Sequence, residues 1–541
     1  MINPFFLLLI AVPTSMLIIP LAWRLAPYLG MVDKPDPRKV HKTPIPRVGG
    51  WGITAGSVVP CVVALHGEPF IQSFLLGALV LFGFGLWDDA RQISHWKKFG
   101  GQMLACGLVV YHGGIYVTNW PFLGDLMPTE VAKAATVVAL MGMVNAINHS
   151  DGLDGLAGGE SILSLISIAY MAHVAGSDLG VAIAFAVIGG VLGFLRYNTH
   201  PAEVFMGDAG SQFLGFALGM LAIYLSQVAL PAMSPALPLL FLGLPISDIL
   251  VVLYKRISGG MNWFKATRNH LHHRLLDLGF DHYETVILIY SVQALLVTLA
   301  VLMRFQSDLL VAGTYLSIIA AVFGAVGVAE MRGWRRRTLG LSWAAELVDL
   351  LRHNARVKRL PLLVVSVLLP VFMIGGASWA TQVPRDFGVV SGVLAVVVLV
   401  ELLMRREQGS LLNRLAIYVA VVFSAYLFVR FGSAREDFWQ VVTLGLLAVL
   451  AVALGLFIRY TSEHRFGVTP TDYLIGFGVL ALIVFGGIDV RARHAVETIM
   501  YTVVMLYACE AMLGVGKSRW TLLSITAAVC FASLAWRGLM V

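Results

Sequence analysis

The chain is poor in charge and in cysteine. Asp, Glu, Lys and Arg make up only 13% of its 541 residues, whereas 58% are hydrophobic, a balance outside that of soluble globular domains. The four cysteines all lie in apolar stretches and lack a CxxC spacing, which argues against disulfides and thiolate metal sites. The composition therefore predicts a polytopic membrane protein.

Apolar segments of roughly 17 to 25 residues, long enough to cross about 30 Å of hydrocarbon, recur from one end of the chain to the other. We count about 18 such segments by this length criterion, and the first eleven end near Glu330. The sequence therefore predicts an all-α, polytopic integral membrane protein whose first eleven spans form one bundle.

The chain divides into three parts. Residues 339–360 mix leucines and a tryptophan with arginines and a glutamate, a pattern typical of a basic amphipathic helix on a membrane surface. We therefore predict a first membrane domain over residues 1–338, an interfacial linker over 339–360 and a C-terminal transmembrane region of unknown role over 361–541. In that last region Glu510 lies well inside a span without an assigned partner, where an acid is costly and usually functional; a neutral or hydrogen-bonded glutamate is the alternative.

The basic residues indicate the orientation. No Lys or Arg precedes the first apolar segment, Phe5 to Trp23, and Arg24 follows it, which is the reverse of a signal peptide. With the N-terminus outside, strict alternation of the spans places most Lys and Arg residues inside, in agreement with the positive-inside rule. The net charge of +7 is spread over these loops and forms no single patch, so we expect no nucleic-acid partner.

Five loops predicted on the inner side carry most of the informative polar residues. The first holds Lys42 and Arg47 before the pair Gly49-Gly50. The cations suit a phosphate, and the glycines let a ligand or another helix approach the main chain closely. An ordinary positive-inside loop is the alternative.

Two adjacent carboxylates, Asp88 and Asp89, end the apolar segment before the second loop, which continues to Lys98. Neighbouring carboxylates repel each other, so their pairing implies a compensating cation such as Mg²⁺ or a nearby lysine. A plain helix-end pair is the alternative. In the fourth loop Asp208 follows Gly207 at the start of an apolar segment, where it can bind a metal or cap the helix.

The third loop lacks Lys and Arg from residue 145 to residue 159, although it is placed inside. It holds Asn145, Asp151 and Asp154, and a glycine follows each aspartate. Such glycines permit tight turns that direct carboxylates and amides towards one ligand. Because the spacing does not match an EF-hand, we interpret this loop as part of a different ligand site.

The fifth loop carries His270, His272, His273 and Arg274 close together. Three histidines could ligate zinc, but the HExxH spacing is absent and nearby arginines disfavour a dication. Histidines beside an arginine suit a diphosphate better. Asp248, in the preceding apolar segment, either faces the same cavity or pairs with a neighbouring cation.

Taken together, these five motifs resemble those of the polyprenyl-phosphate N-acetylhexosamine-1-phosphate transferases. The resemblance runs from Asp33 to about Gly279, and the His-Leu-His-His form is similar to the N-acetylhexosamine branch. It implies transfer of a sugar 1-phosphate from a UDP-N-acetylhexosamine, with UDP-GlcNAc as the expected donor, to undecaprenyl phosphate. The implied cofactor is Mg²⁺, with Mn²⁺ as an alternative, and the second product is UMP.

The motifs and the resemblance together predict roles for individual residues. Asp88, Asp89 and Asp208 are expected to be catalytic, and Asp208, Asp89 and Asn145 to bind the metal. The predicted substrate-binding residues are Lys42, Arg47, Lys98, Asn145, Asp151, Asp154, His270, His272, His273 and Arg274.

The resemblance also implies a multi-pass protein of the bacterial inner membrane, surrounded by membrane lipids, with its active site on the cytoplasmic face. The sequence leaves open whether the protein forms a homodimer. The alternative function is a polytopic transporter or flippase for lipid-linked sugars. Transporters place key charges near the bilayer midplane, whereas the acids of residues 1–338 cluster at span ends, so this alternative is kept mainly for residues 361–541.

Overall fold

The computed structural model describes residues 4–35, 43–65, 67, 69–261, 268–336, 355–403, 411–432, 437–460, 472, 474–480, 484, 490–515 and 517–540. The chain forms two compact units, of which the first is Met1–Arg337 with Thr469–Ile488 and the second is Thr338–Val468 with Asp489–Val541. Within the range 469–488 the structure describes residues 472, 474–480 and 484. Most of the predicted interfacial linker, residues 339–360, lies outside the described residues.

The first unit is built almost entirely from helices. They are α1 Pro4–Leu29, α2 Gly49–Leu65, α3 Pro69–Arg91, α4 His95–Gly107, α5 Thr129–Ser150, α6 Leu156–Val174, α7 Asp178–Asn198, α8 Gly207–Tyr224, α9 Pro238–Phe241, α10 Gly243–Ser258, α11 Leu271–Asp277, α12 His282–Leu302 and α13 Asp308–Met331. Two π-helical turns, Leu108–His112 and Leu225–Ala229, extend α4 and α8.

Eleven helices in the described part of the chain are long and apolar enough to cross a membrane, and seven of these lie in the first unit. The all-α, polytopic fold is therefore confirmed. The other spans predicted from the sequence correspond to shorter or more polar helices, such as α2 and α10, or include residues outside the described ranges.

Helix α7 packs against α1 and α2 through small residues. A Cβ atom on Gly189 would lie 2.4 Å from the Ala11 Cβ atom, and one on Gly190 would lie 2.6 Å from the Ile53 carbonyl oxygen. Ser15 donates a hydrogen bond to the Gly190 carbonyl oxygen at 2.8 Å. Since apolar burial drives little helix association inside a bilayer, close backbone approach of this kind supplies the packing energy between spans.

The start of α8 fits between α2 and α3 because glycines face it. A Cβ atom on Gly50 would lie 2.3 Å from the Gly210 nitrogen, and one on Gly85 would lie 2.3 Å from the Ala209 Cα atom. No larger residue fits at either position without moving the backbone. Of the two expectations for the glycine pair in the first loop, approach by another helix is the one observed.

Backbone hydrogen bonds join a short strand pair in the first loop to the fourth loop. Strands β1 Val32–Asp33 and β2 Ile45–Pro46 are antiparallel, with Val32 opposite Pro46. The Phe205 amide then donates to the Pro46 carbonyl oxygen at 2.8 Å, and the Gly49 amide donates to the Phe205 carbonyl oxygen at 2.9 Å. These bonds hold the segment before α8 against the segment before α2.

The second unit is also helical. Its described helices are α14 Ala355–Trp379, α15 Arg385–Leu403, α16 Leu411–Phe431, α17 Asp437–Tyr460, α18 Val490–Leu513 and α19 Lys517–Leu539. Glu510 in α18 accepts a hydrogen bond from Arg414 Nε of α16 at 3.1 Å, and the same guanidinium contacts the Tyr418 hydroxyl at 2.8 Å. The acid that the sequence left without a partner is therefore paired, which lowers the cost of placing it inside a span.

Candidate active site

Three charged side chains meet where α3 ends and α8 begins. The Lys98 Nζ atom, from α4, lies 2.5 Å from Asp88 Oδ2 and 2.5 Å from Asp208 Oδ2. Asn148, near the end of α5, donates hydrogen bonds to Asp208 Oδ1 at 3.2 Å and to Ser211 Oγ at 2.7 Å. Four helices thus converge on the Asp208 carboxylate. Because this carboxylate contacts side chains of other helices, its surroundings do not fit the helix-capping alternative.

The acids around Lys98 fit a divalent cation. Mg²⁺ is usually bound through one or two carboxylates together with substrate phosphates, and Asp88 and Asp208 converge on one point. Burial, followed by the nearby charges of Asp208 and Asp154, raises the pKa of Asp151 to about 7. A dication beside these groups would relieve their repulsion. Asp208 and Asp88, which share Lys98, are therefore suited to hold Mg²⁺ or Mn²⁺, and the charge of Asp151 interacts with that of Asp208.

Asp89 holds the start of α8. Its Oδ1 atom accepts a hydrogen bond from the Asp208 amide at 2.8 Å, and its Oδ2 atom accepts one from the Ala209 amide at 3.1 Å. The residue is 6% exposed, and an anionic acceptor at a helix N-terminus is stabilising. Gly207 has a φ of 71°, and a Cβ atom there would lie 2.7 Å from Asp89 Oδ2. Because both carboxylate oxygens accept main-chain hydrogen bonds at the start of α8, the geometry supports a positioning role for Asp89, and its role as a metal ligand stays a prediction.

Asn145, the other residue predicted to bind metal beside Asp208, bonds instead to protein groups. Its Nδ2 atom donates to Gln102 Oε1 at 2.8 Å and to the Met141 carbonyl oxygen at 2.7 Å. Asn148, three residues later in α5, is the amide that contacts Asp208. Asn148 was not among the predicted site residues, although its spacing from Asn145 predicts that both lie on one face of a helix.

Asp154 lies in a separate cluster with two histidines. Its Oδ2 atom is 2.6 Å from His200 Nδ1 and accepts a hydrogen bond from the Ala202 amide at 3.0 Å. His282 Nε2 lies 3.2 Å from the Asp154 carbonyl oxygen, and the two imidazoles stack with ring centroids 3.9 Å apart. Burial alone would raise the pKa of Asp154, but its hydrogen bonds from His200 and Ala202 hold that pKa below its ordinary value.

The ligand atoms of Asp154, His200 and His282 lie within 4.8 Å of one another. The two imidazole planes differ by only 20°. The lone pair of an imidazole nitrogen lies in the plane of its ring. In two stacked rings these planes are nearly parallel, so the two lone pairs do not point at one shared metal ion. This arrangement suits hydrogen bonding better than a shared metal ion. Neither histidine carried a signal in the sequence, because both lie outside the five motifs.

His270 and Asp248 fix the start of α11. The His270 Nδ1 atom lies 2.7 Å from Asp248 Oδ2, and the Leu271 amide donates to Asp248 Oδ1 at 2.7 Å. Of the two alternatives for Asp248, the structure therefore supports contact with the histidine loop. His270 also stacks on His149 at the end of α5, with ring centroids 5.6 Å apart.

His272 lies directly against the third loop. A Cβ atom on Gly152 would lie 2.2 Å from His272 Nε2, so the imidazole touches the main chain beside Asp151. Within the described residues, this Nε2 atom and His273 Nδ1 are buried without a hydrogen-bond partner. Burial keeps the pKa of His272 well below its ordinary value, so the ring is neutral near pH 7. Unsatisfied buried nitrogens of this kind are suited to bind polar groups of a ligand.

Two of the predicted cations are engaged with acids of the protein. Arg47 pairs with Asp33, and Arg274 donates from Nε and Nη2 to the Glu330 carboxylate at 2.7 and 2.8 Å. Lys42 lies outside the described residues. Among the predicted cations that the structure describes, Lys98 is the one at the carboxylate cluster.

The five predicted loops lie next to one another at one end of the first unit. Lys98 and Asn148 contact Asp208, His272 lies against Gly152, and the fourth loop bonds to β2. A helical membrane bundle with carboxylates, a lysine and neutral imidazoles gathered at span ends has the residues needed to bind phosphorylated substrates. These features define a class of membrane enzymes that act on phosphate esters.

Comparison with known proteins identifies the family within this class. Residues 71–226 match the glycosyl transferase family 4. A probable undecaprenyl-phosphate N-acetylglucosaminyl 1-phosphate transferase of Bacillus subtilis is 33% identical over 328 residues, which is 59% of this chain and 91% of that protein. A decaprenyl-phosphate N-acetylglucosaminephosphotransferase of Mycobacterium tuberculosis is 31% identical over 298 residues, or 49% of this chain and 74% of that protein.

The undecaprenyl-phosphate alpha-N-acetylglucosaminyl 1-phosphate transferase of Escherichia coli is 28% identical over 321 residues, which is 58% of this chain and 87% of that protein. The chain therefore belongs to the polyprenyl-phosphate N-acetylhexosamine-1-phosphate transferase family, and it is a multi-pass membrane transferase. The family resemblance inferred from the five motifs is confirmed.

Proposed function

We propose that the chain transfers N-acetylglucosamine 1-phosphate from UDP-GlcNAc to undecaprenyl phosphate and releases UMP, with Mg²⁺ or Mn²⁺ bound at Asp208. The observation that carries the proposal is the position of Lys98 between Asp88 and Asp208, at 2.5 Å from each, in a chain whose relatives are named for this kind of transfer. The product would start the synthesis of a cell-surface glycan. We further propose that the protein lies in the bacterial inner membrane with this site on the cytoplasmic face, where the basic loops are predicted.

In the proposed reaction, an oxygen of the lipid phosphate forms a bond to the β-phosphorus of the UDP-sugar. The bond from that phosphorus to the bridging oxygen breaks, and UMP leaves with this oxygen. Both reactants are anions near pH 7, so the site mainly has to align them and offset their repulsion. A dication held at Asp208 would neutralise part of the remaining charge of the diphosphate.

Different residues of the chain align the reactants and offset their charge. Lys98 is positioned to pair with an incoming phosphate oxygen, and Asp88 orients its ammonium group. Asn148 holds the Asp208 carboxylate in place. The neutral His272 ring, whose buried Nε2 atom has no partner among the described residues, can hydrogen-bond to the diphosphate. Because the acids sit at span ends, the site is at the membrane edge, where the lipid phosphate arrives and water is partly excluded.

The test is UMP release by the purified full-length protein. We expect release with undecaprenyl phosphate and UDP-GlcNAc when Mg²⁺ is present, and none after EDTA treatment until Mg²⁺ is restored. A panel of other UDP-N-acetylhexosamines tests the sugar. Glu130→Gln, which removes only an exposed ion pair with Lys133 at the opposite end of α5, is the control for variants of the site and should release UMP as the wild-type protein does. No UMP release with any donor would refute the transfer, and release only with another donor would refute the assignment of GlcNAc.

A further inference from the structure

A short segment from Glu330, in the last turn of α13, to Arg336 holds the helix that carries the histidine motif. We call this segment the strap. The Glu330 carboxylate accepts two hydrogen bonds from Arg274 of α11, at 2.7 and 2.8 Å. The Arg274 side chain is only 7% exposed, and bidentate pairs of this kind fix geometry as well as charge.

The strap also holds the turn that follows α11. The Arg336 amide donates to the Leu278 carbonyl oxygen at 2.9 Å, and its guanidinium pairs with Glu284 at the start of α12. The Trp334 ring lies 6.0 Å from the Phe280 ring. Helix α11 has only seven residues, too few to be stable through its own backbone hydrogen bonds. Its position therefore depends on contacts such as these.

We infer that Glu330 is a positioning residue for the sugar-nucleotide site and acts through Arg274 on the placement of His272 and His273. The inference rests on the proposed function, in which these imidazoles meet the diphosphate. Both histidines immediately precede Arg274 on one short helix, so a shift at Arg274 moves both rings. The inference also changes the role of Arg274. The sequence predicts that Arg274 binds substrate, whereas in the structure it pairs with Glu330.

The substitution Glu330→Gln tests the inference because it keeps the shape of the side chain and removes its charge. We expect the KM for UDP-GlcNAc to rise about tenfold while kcat changes by less than about threefold, since an interaction that only places the nucleotide-binding rings acts mainly on binding. The swapped variant Arg274→Glu/Glu330→Arg should recover most of the lost affinity, whereas Glu330→Arg alone should not. Glu130→Gln serves as the control for a lost ion pair elsewhere.

Amide hydrogen exchange over residues 271–277 gives a second measurement that needs no activity. Exchange there should be faster in Glu330→Gln than in the wild-type protein and slower again in the swapped variant. The inference would be overturned if both the KM and the exchange rate of Glu330→Gln were unchanged. It would also be overturned if the variant were less stable to heat but had an unchanged KM. If the wild-type protein releases no UMP, the proposed function fails, and the exchange experiment still decides whether Glu330 positions α11.

Discussion

The substitution Asp89→Asn separates a residue that positions the site from one that binds the metal. Asp89 is 6% exposed, and its two oxygens accept the Asp208 and Ala209 amides at 2.8 and 3.1 Å. Asparagine keeps one acceptor, so one buried amide loses its partner at a cost of about 1–3 kcal/mol. Loss of the negative charge at the start of α8 adds about 0.3–1 kcal/mol. The expected loss of stability is therefore about 1–4 kcal/mol.

Part of the free energy lost in Asp89→Asn should lower the activity, because α8 also carries Asp208. If half of this free energy displaces Asp208 from its reactive position, kcat/KM for UMP release falls about twofold to thirtyfold, at about 1.4 kcal/mol for each factor of ten. The Mg²⁺ concentration for half-maximal rate should change less than about threefold, because the ligand itself remains. Thermal unfolding of the detergent-purified protein and a Mg²⁺ titration of UMP release measure the two effects.

Asp308→Asn is the matched control. Asp308 also accepts two hydrogen bonds, from the Phe122 amide at 3.1 Å and from Ser234 at 2.5 Å, but at the opposite end of the first unit. The Asp308→Asn substitution should lower thermal stability and leave kcat/KM for UMP release unchanged. A Mg²⁺ requirement raised more than about tenfold in Asp89→Asn, with unchanged thermal stability, would refute the positioning role and restore Asp89 as a ligand.

The fold and the grouping of the loops could be predicted because the membrane restricts where polar residues can lie. Apolar length sets the number of crossings, and alternation sends every second loop to the same side. Acids, amides and histidines at the ends of successive spans are therefore confined to one layer, where only lateral packing remains to be decided. This is why five separate motifs could be expected to meet, as Asp208 does with Lys98 and Asn148.

The division of work among neighbouring residues could not be predicted in the same way. Asp88 and Asp89 are adjacent in sequence, but successive residues of a helix point about 100° apart. One therefore contacts Lys98 while the other contacts the main chain of α8. Which of them faces which neighbour depends on how α3 packs against α8, for example where Gly85 meets Ala209, and that packing is not visible in the local sequence. The pairing of Arg274 with Glu330 likewise joins residues too far apart in sequence for any local pattern to indicate.

The remaining predictions concern the side chains that meet substrate and metal. Asp208→Ala should lower UMP release more than about 10³-fold at any substrate concentration, because it removes the carboxylate on which the metal depends; full activity in the purified variant would remove the metal assignment. His272→Ala should raise the KM for UDP-GlcNAc with a smaller effect on kcat, and a loss confined to kcat would contradict a role in holding the diphosphate. Asp151 should couple Mg²⁺ binding to pH. Since its pKa is raised to about 7 by burial and nearby acids, it is protonated below that pH and charged above it, and a dication favours the charged form. The Mg²⁺ concentration for half-maximal rate should therefore fall about tenfold from about pH 6 to about pH 8 in the wild-type protein and stay nearly constant in Asp151→Asn. If that variant shows the same fall, the proton that competes with Mg²⁺ is bound elsewhere.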